Sequence, residues 1–202
     1  MTPFPIRASA LASDRSRPIS RLVRGAVAIC AALAALHATA ATRSIAVFDC
    51  TLIDDNAMYN DAAVNREQQA RLALISKDLR SGLGSRGRYR VADNAPAQQL
   101  IAQMASKQDL GACGGCEREV GRKLGVDRVG ICWVQKVSNL ILNINLRIED
   151  VASGATVFQR SVDIRGNNDL SWQRGMQALV RLVADNRGDG NWRGRPARVV
   201  RR

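Results

Sequence analysis

The residues whose type and spacing point most directly to chemistry are Cys113-Gly-Gly-Cys116. Two thiols at that spacing close a small disulfide ring. Just before a helix, the unpaired backbone N–H groups and the helix dipole stabilise a thiolate, which is the physical basis of thiol–disulfide exchange at C-x-x-C sites. The plainer reading is a structural disulfide that pins a loop in an oxidising compartment. Three features favour it: the motif follows no predicted strand, no aromatic residue precedes the first cysteine, and Glu117 and Glu119 beside it oppose a thiolate. On either reading Cys113 and Cys116 form a disulfide or redox site.

Cys50 and Cys132 each fall in a predicted strand, and the helical connections between them allow the two strands to lie side by side. If the strands adjoin, a second, cross-strand disulfide forms; if they do not, both thiols are buried. Four cysteines allow three pairings, and nearness in sequence favours 113 with 116. A single C-x-x-C with two distant strand cysteines is poor spacing for zinc, so no metal and no cofactor is expected. Asp49, Asp54 and Asp55 cluster after the first strand, near the strand end at which open α/β sheets bind ligands. They lack a calcium-loop pattern, and capping a turn is their ordinary role.

The first 41 residues read as a signal peptide. Arg7, Arg15, Arg17, Arg21 and Arg24 precede an apolar run from Gly25 to Leu36, and Ala38-Thr39-Ala40 follows as a small-x-small cleavage site. The apolar run is too short for a membrane span, which needs roughly 20 residues. Ile29 before Cys30 does not suit lipoprotein processing, and the leader has no adjacent pair of arginines. Cleavage after Ala40 or Ala41 would release the chain into the periplasm. It would also remove His37, the only histidine, and so exclude Ser-His and Cys-His catalytic pairs and histidine zinc sites.

The 202 residues carry 30 Lys+Arg against 18 Asp+Glu, a net +12, but the excess is concentrated at the ends. Between residues 42 and 185 there are 19 basic and 16 acidic residues, a net +3. Residues 186–202 read as a disordered basic tail, with six arginines and little to bury. Arginines beside Trp192 suit weak contact with an anionic membrane surface. Nucleic acid is not an expected partner, since stacking aromatics are nearly absent.

These residues must be positioned by elements that the hydrophobic pattern makes legible. Ile45 to Leu52 is a β-rich apolar run and reads as a first strand. Asn65 with Gln68 three residues on resembles a capping box, and Leu72, Ile75, Leu79 and Leu83 follow at helical spacing; Gly82, Gly84 and Gly87 are expected to close that helix. Tyr89 to Ala92 reads as a strand, Pro96 to Ala105 as a helix, and Glu117 to Leu124 as a short helix stopped by Gly125. Leu140, Leu142, Ile144, Leu146 and Ile148 alternate with mostly polar residues, the signature of a strand with one face in the core. Val126 to Val137 before it and Thr156 to Ile164 after it complete an antiparallel meander. A last helix runs from Asn168 or Asp169 to about Asp185, burying Trp172, Met176, Leu179, Val180 and Val183.

The predicted order is β-α-β-α-α-β-β-β-α: one α/β domain over residues 42–185, with a single mixed sheet, helices packed on its apolar face and a C-terminal antiparallel meander. Near the first hairpin of the meander, Gln135, Lys136, Ser138, Asn139 and Asn143 form a polar ridge, a candidate contact surface whose plainer reading is a hydrated sheet face.

Ala46-Val-Phe-Asp-Cys-Thr-Leu-Ile-Asp54, Ala112-Cys-Gly-Gly-Cys116, Trp133-Val-Gln-Lys-Val-Ser-Asn-Leu-Ile-Leu-Asn-Ile-Asn145 and Ser161-Val-Asp-Ile-Arg-Gly-Asn167 with Ser171-Trp172 together resemble the domain-of-unknown-function family 3280. The resemblance spans about 45–183 and implies an exported bacterial protein, with no activity attached. Its pattern has an aromatic residue at 50 and a small one at 132, so a disulfide between the cysteines found here is a departure, whereas the C-x-x-C matches. The element order is also similar to small α/β domains of envelope assembly proteins, an analogy of fold alone. The function expected is a non-enzymatic periplasmic accessory or binding module that contacts another envelope protein. The alternative is a thiol–disulfide oxidoreductase or electron-transfer accessory using Cys113 and Cys116.

Overall fold

The computed structural model describes residues 42–107 and 113–186. The expected signal peptide and the tail from residue 187 onward lie outside the described residues. The elements are β1 (Ser44–Val47), β2 (Thr51–Asp54), α1 (Ala62–Ser85), β3 (Arg90–Val91), α2 (Gln98–Ala105), α3 (Cys116–Leu124), β4 (Arg128–Lys136), β5 (Leu142–Asp150), β6 (Thr156–Ile164) and α4 (Asp169–Asp185). The sheet runs β3-β1-β4-β5-β6, and β2 also pairs with β4. Pairing is parallel from β3 through β4 and antiparallel from β4 through β6. The fold is therefore the expected mixed α/β sheet ending in a meander.

The run expected as one strand is broken into β1 and β2 along the same neighbour. Val47 pairs with Gly130 and Thr51 with Trp133, so three residues on one side oppose two on the other. That is a bulge, and it shifts the phase of every side chain beyond it. Val47 and Cys50 consequently enter the same core, Phe48 enters the core on the other face, and Asp49 is left exposed.

Helices cover both faces of the parallel half, whereas a single covered face was expected. α1 and α4 bury Leu72, Ile75, Leu79, Trp172, Met176 and Leu179 against Ile45, Val47, Ile144 and Leu146. On the opposite face, Val120 of α3 packs with Ala46, Phe48, Val129 and Ile131, and Leu100, Ile101 and Met104 of α2 lie against that cluster. The cause is local. Strands of a parallel sheet are apolar on both sides and need both sides covered, while the alternating β5 needs only one.

α1 starts at an Asp61 cap, whose carboxylate accepts the Val64 N–H at 2.8 Å, rather than at Asn65. Gly82 and Gly84 lie inside this helix instead of ending it. At Gly82 the reason is close packing, because a Cβ there would come within 2.8 Å of Val180 Cγ1 on α4. The chain turns afterwards at Gly87, with φ 64°.

Candidate functional site

The Cys113–Cys116 disulfide closes a loop directly onto the first turn of α3, and both cysteines are half-buried. The two glycines are required by the backbone: Gly114 has φ 63° and Gly115 φ 134°, where a Cβ is strained. Glu117 folds back under the loop and is buried, at 2% exposure. Its Oε2 accepts the Gly115 N–H at 3.1 Å and lies 3.2 Å from Cys113 Sγ, while its Oε1 accepts from Arg147 Nη2 on β5 at 3.2 Å. Arg147 also pairs with Glu149, 2.8 Å away. Arg118 fills the space beside Gly115: its Nη2 is 2.8 Å from where a Cβ on that glycine would sit.

The charge around the loop thus differs from what the local sequence implied. Glu119 is exposed, and the charge of Glu117 is matched by Arg147, so the two acidic neighbours do not act together against a thiolate. Sequence spacing could not reveal Arg147, which is 30 residues from Glu117. Both sulfurs and a Glu117 oxygen lie within 4.8 Å of one another, a set with metal-ligand chemistry. In this state the sulfurs are bonded to each other and the carboxylate is held by Arg147.

Cys50 and Cys132 lie on neighbouring parallel strands with Cα atoms 4.5 Å apart and are joined in a disulfide. Both are buried in the core beneath α1.

The polar ridge is not one surface. Gln135 and Asn143 pair in register on the sheet face opposite α1 and α4, beyond the cluster under α2 and α3, Ser138 and Asn139 form the hairpin turn, and Lys136 points to the other side. There Lys136 Nζ donates to Asp54 Oδ2 at 2.8 Å, with side-chain exposures of 5% and 3%. Lys136 is therefore part of a buried ion pair and offers no exposed contact. Counting by two from Cys132 through Val134 reaches the same core face, a signal available in the sequence. The Asp54 carboxylate also accepts from Asn60 Nδ2 and the Asn56 N–H. Burial alone would raise this carboxyl, but those bonds, led by Lys136, hold it below the usual aspartate range.

What the hairpin does present is apolar. Val137, Leu140 and Ile141 at its tip are exposed, and beside them are Ile53 at the end of β2 and Met58 and Tyr59 in the 3-10 turn that follows. Asn56 Nδ2 bonds the Val137 carbonyl at 3.3 Å and so holds that turn against the hairpin. Asn167 Nδ2 bonds Asn139 Oδ1 at 3.3 Å, which brings in the loop before α4 and the exposed Leu170. Three segments distant in sequence therefore meet at one end of the sheet. Sequence periodicity missed this group because each segment, read alone, is an ordinary loop.

The three aspartates do not share a site. The Asp54 side chain is buried against Lys136, Asp55 is exposed, and Asp49 pairs with Arg80 Nη2 at 2.8 Å on the rim of a cleft of about 450 Å³. The cleft lies where β1 leads to α1 on one face and β3 to α2 on the other, the switch point of an open sheet. Phe48, Asn94, Gln98 and Ile101 also line it. Arg80 Nε and Asn94 Nδ2 both donate to the Val47 carbonyl, at 3.1 Å and 2.8 Å, so its polar groups are largely engaged with one another.

Comparison with known structures finds LpoB-like α/β domains. The C-terminal domain of LpoB from Salmonella enterica is 15% identical, covering 66% of this chain and 91% of that one, with a TM-score of 0.44. LpoB from Escherichia coli is 12% identical over 83% of this chain and 80% of that one, with a TM-score of 0.46. The lipoprotein GNA1162 from Neisseria meningitidis is 19% identical over 71% and 97%, with a TM-score of 0.46. The search of curated proteins returns no match. The sequence model DUF3280, described as "Protein of unknown function (DUF2380)", matches residues 43–183. The resemblance seen in the motifs therefore holds over the whole folded region, and the chain belongs to the DUF3280 family.

Proposed function

We propose that this protein is a binding module of the bacterial envelope, which docks on another envelope protein through the apolar end of its sheet. One observation carries this reading. Eight large apolar side chains are exposed among the described residues, and seven of them, all but Leu182, gather at that end. Single exposed apolar residues are ordinary, but a contiguous group rimmed by polar residues marks an interaction site. Met58 at 81%, Tyr59 at 78% and Leu140 at 72% exposure are the most prominent. Gln135, Ser138, Asn139 and Asn143 supply the neutral hydrogen-bonding rim that such interfaces carry. The envelope location rests on reading the first 41 residues as a signal peptide.

Photo-cross-linking side chains placed at Tyr59, at Leu140 and, as a control, at Leu182 test the reading in cells. Leu182 sits on the same helix as Leu170, about 18 Å along it at the rise of an α-helix. Positions 59 and 140 are expected to capture one common envelope protein that position 182 does not. Equal capture from all three positions, or none, would remove the basis for the proposal.

A further inference from the structure

The Cys113–Cys116 loop carries a second inference, independent of the docking surface. We propose that this pair exchanges with thiols and disulfides, with Cys116 as the attacking sulfur and Glu117 as the proton carrier for Cys113. Cys116 is the first residue of α3, where the backbone N–H groups and the helix dipole favour a thiolate. Cys113 lies outside the helix, with its sulfur 3.2 Å from the buried Glu117 carboxylate. The Glu117 carboxylate lies within 4.8 Å of both sulfurs, but only Cys116 also sits on the helix N-terminus, and Cys113 is the sulfur at hydrogen-bond distance from Oε2.

The step balances in both directions. In the reduced protein, the Cys116 thiolate attacks one sulfur of a disulfide substrate; the substrate bond breaks, one half leaves as a thiolate, and a mixed disulfide forms at Cys116. The Cys113 thiol then passes its proton to Glu117 Oε2 as its sulfur attacks Cys116 Sγ. The second half of the substrate leaves as a thiolate, and Glu117 returns the proton to it or to water. The protein dithiol is oxidised and the substrate disulfide is reduced. Run backwards, the Cys113–Cys116 disulfide oxidises a dithiol. The charged groups around Glu117 are Arg147 and Glu149 from β5, with Arg118 nearby on its own helix, and Arg147 bonds Oε1 while Oε2 is the oxygen that faces sulfur.

The test uses full-length reduced protein in a Cys30→Ala background, with oxidised glutathione as substrate and acid-quenched mass spectrometry as readout. Peptide mapping verifies that Cys50–Cys132 stays closed. Trapping of glutathione by Cys116 in Cys113→Ser should be at least about tenfold faster than trapping by Cys113 in Cys116→Ser, following the thiolate fraction. Glu117→Gln should slow ring closure about a hundredfold at neutral pH, the usual size of a general-base contribution, and slow it far more than it alters trapping at Cys116. Wild-type closure should be nearly flat between pH 6 and 8, whereas a thiol without an internal base speeds up about tenfold per pH unit below its pKa of about 8.5. The pH profile uses the wild type alone, so it decides the question even if E117Q folds poorly. Faster trapping at Cys113, unaltered closure in E117Q, or a tenfold rise per pH unit in the wild type would each overturn the assignment.

Discussion

The Ser76 hydroxyl bridges the break in the first strand: it accepts the Cys50 N–H at 2.8 Å and donates to the Leu72 carbonyl at 2.7 Å. The bulge leaves Cys50 between the two paired segments, so its buried N–H needs a partner from elsewhere, and a serine on the core face of α1 supplies it. Ser76→Ala is expected to lower unfolding stability by about 1–3 kcal/mol, the usual cost of an orphaned buried donor. Urea denaturation reads this directly, and a loss under about 0.5 kcal/mol would mean that the bond contributes little.

The disulfide at the same bulge spans 82 residues of chain, including all of α1 to α3. Closing a loop of that length restricts the unfolded chain, and the double variant Cys50→Ala/Cys132→Ala should lose about 2–4 kcal/mol. Cys113→Ser/Cys116→Ser opens a far smaller ring and should cost less. If thermal or urea unfolding ranks the two pairs the other way, the central disulfide is not the main cross-link.

Asp54 and Lys136 make the fold acid-sensitive. The folded-state carboxyl of Asp54 is lowered, as is that of Asp127 through bonds from the Ser44 hydroxyl and N–H. A lowered folded pKa adds stability that is complete above the unfolded value of about 3.9 and is lost as pH falls through the folded one. The urea midpoint should therefore drop steeply below about pH 4. Lys136→Ala should cost about 3–5 kcal/mol at neutral pH by leaving Asp54 buried and unpaired, while Asp54→Leu/Lys136→Met should cost less. A double variant no more stable than Lys136→Ala would contradict this.

Glu149 behaves in the opposite sense. Burial raises its carboxyl, Arg147 opposes the shift, and the nearby Glu117 adds to it. A raised folded pKa means that the folded protein bears a penalty for the ionised form at neutral pH, which disappears as pH falls through the folded value toward the unfolded one near 4.3. Glu149→Gln should accordingly be more stable than the wild type at pH 7, with the two curves converging in acid. Parallel curves across that range would show that Glu149 is not the group responsible.

Gly175 sits where α4 crosses β5 and β6. A Cβ there would run into Ile164 Cγ2 and come within 3.1 Å of Ile144 Cδ1. Gly175→Ala should destabilise by about 1–3 kcal/mol through overpacking, outweighing a gain of about 1 kcal/mol in helix propensity. A Tm above that of the wild type would show that the helix moves away at little cost.

Much of this molecule was legible before any tertiary structure. The alternation from Leu142 to Ile148, the buried stripe of α4 from Trp172 to Val183, the stop at Gly125 and the helix behind Cys116 all come from neighbours two to four residues apart. The motifs that carry the family resemblance are likewise continuous in sequence. Tertiary structure alone decided the phase of the first strand after its bulge, the pairing of Asp54 with Lys136, the seating of Arg147 on Glu117, and the meeting of three loops at one apolar end. The physical reason is range. Periodicity reports which side of an element is apolar, whereas register and packing decide which distant side chain stands opposite, and a shift of one residue reverses every face beyond it.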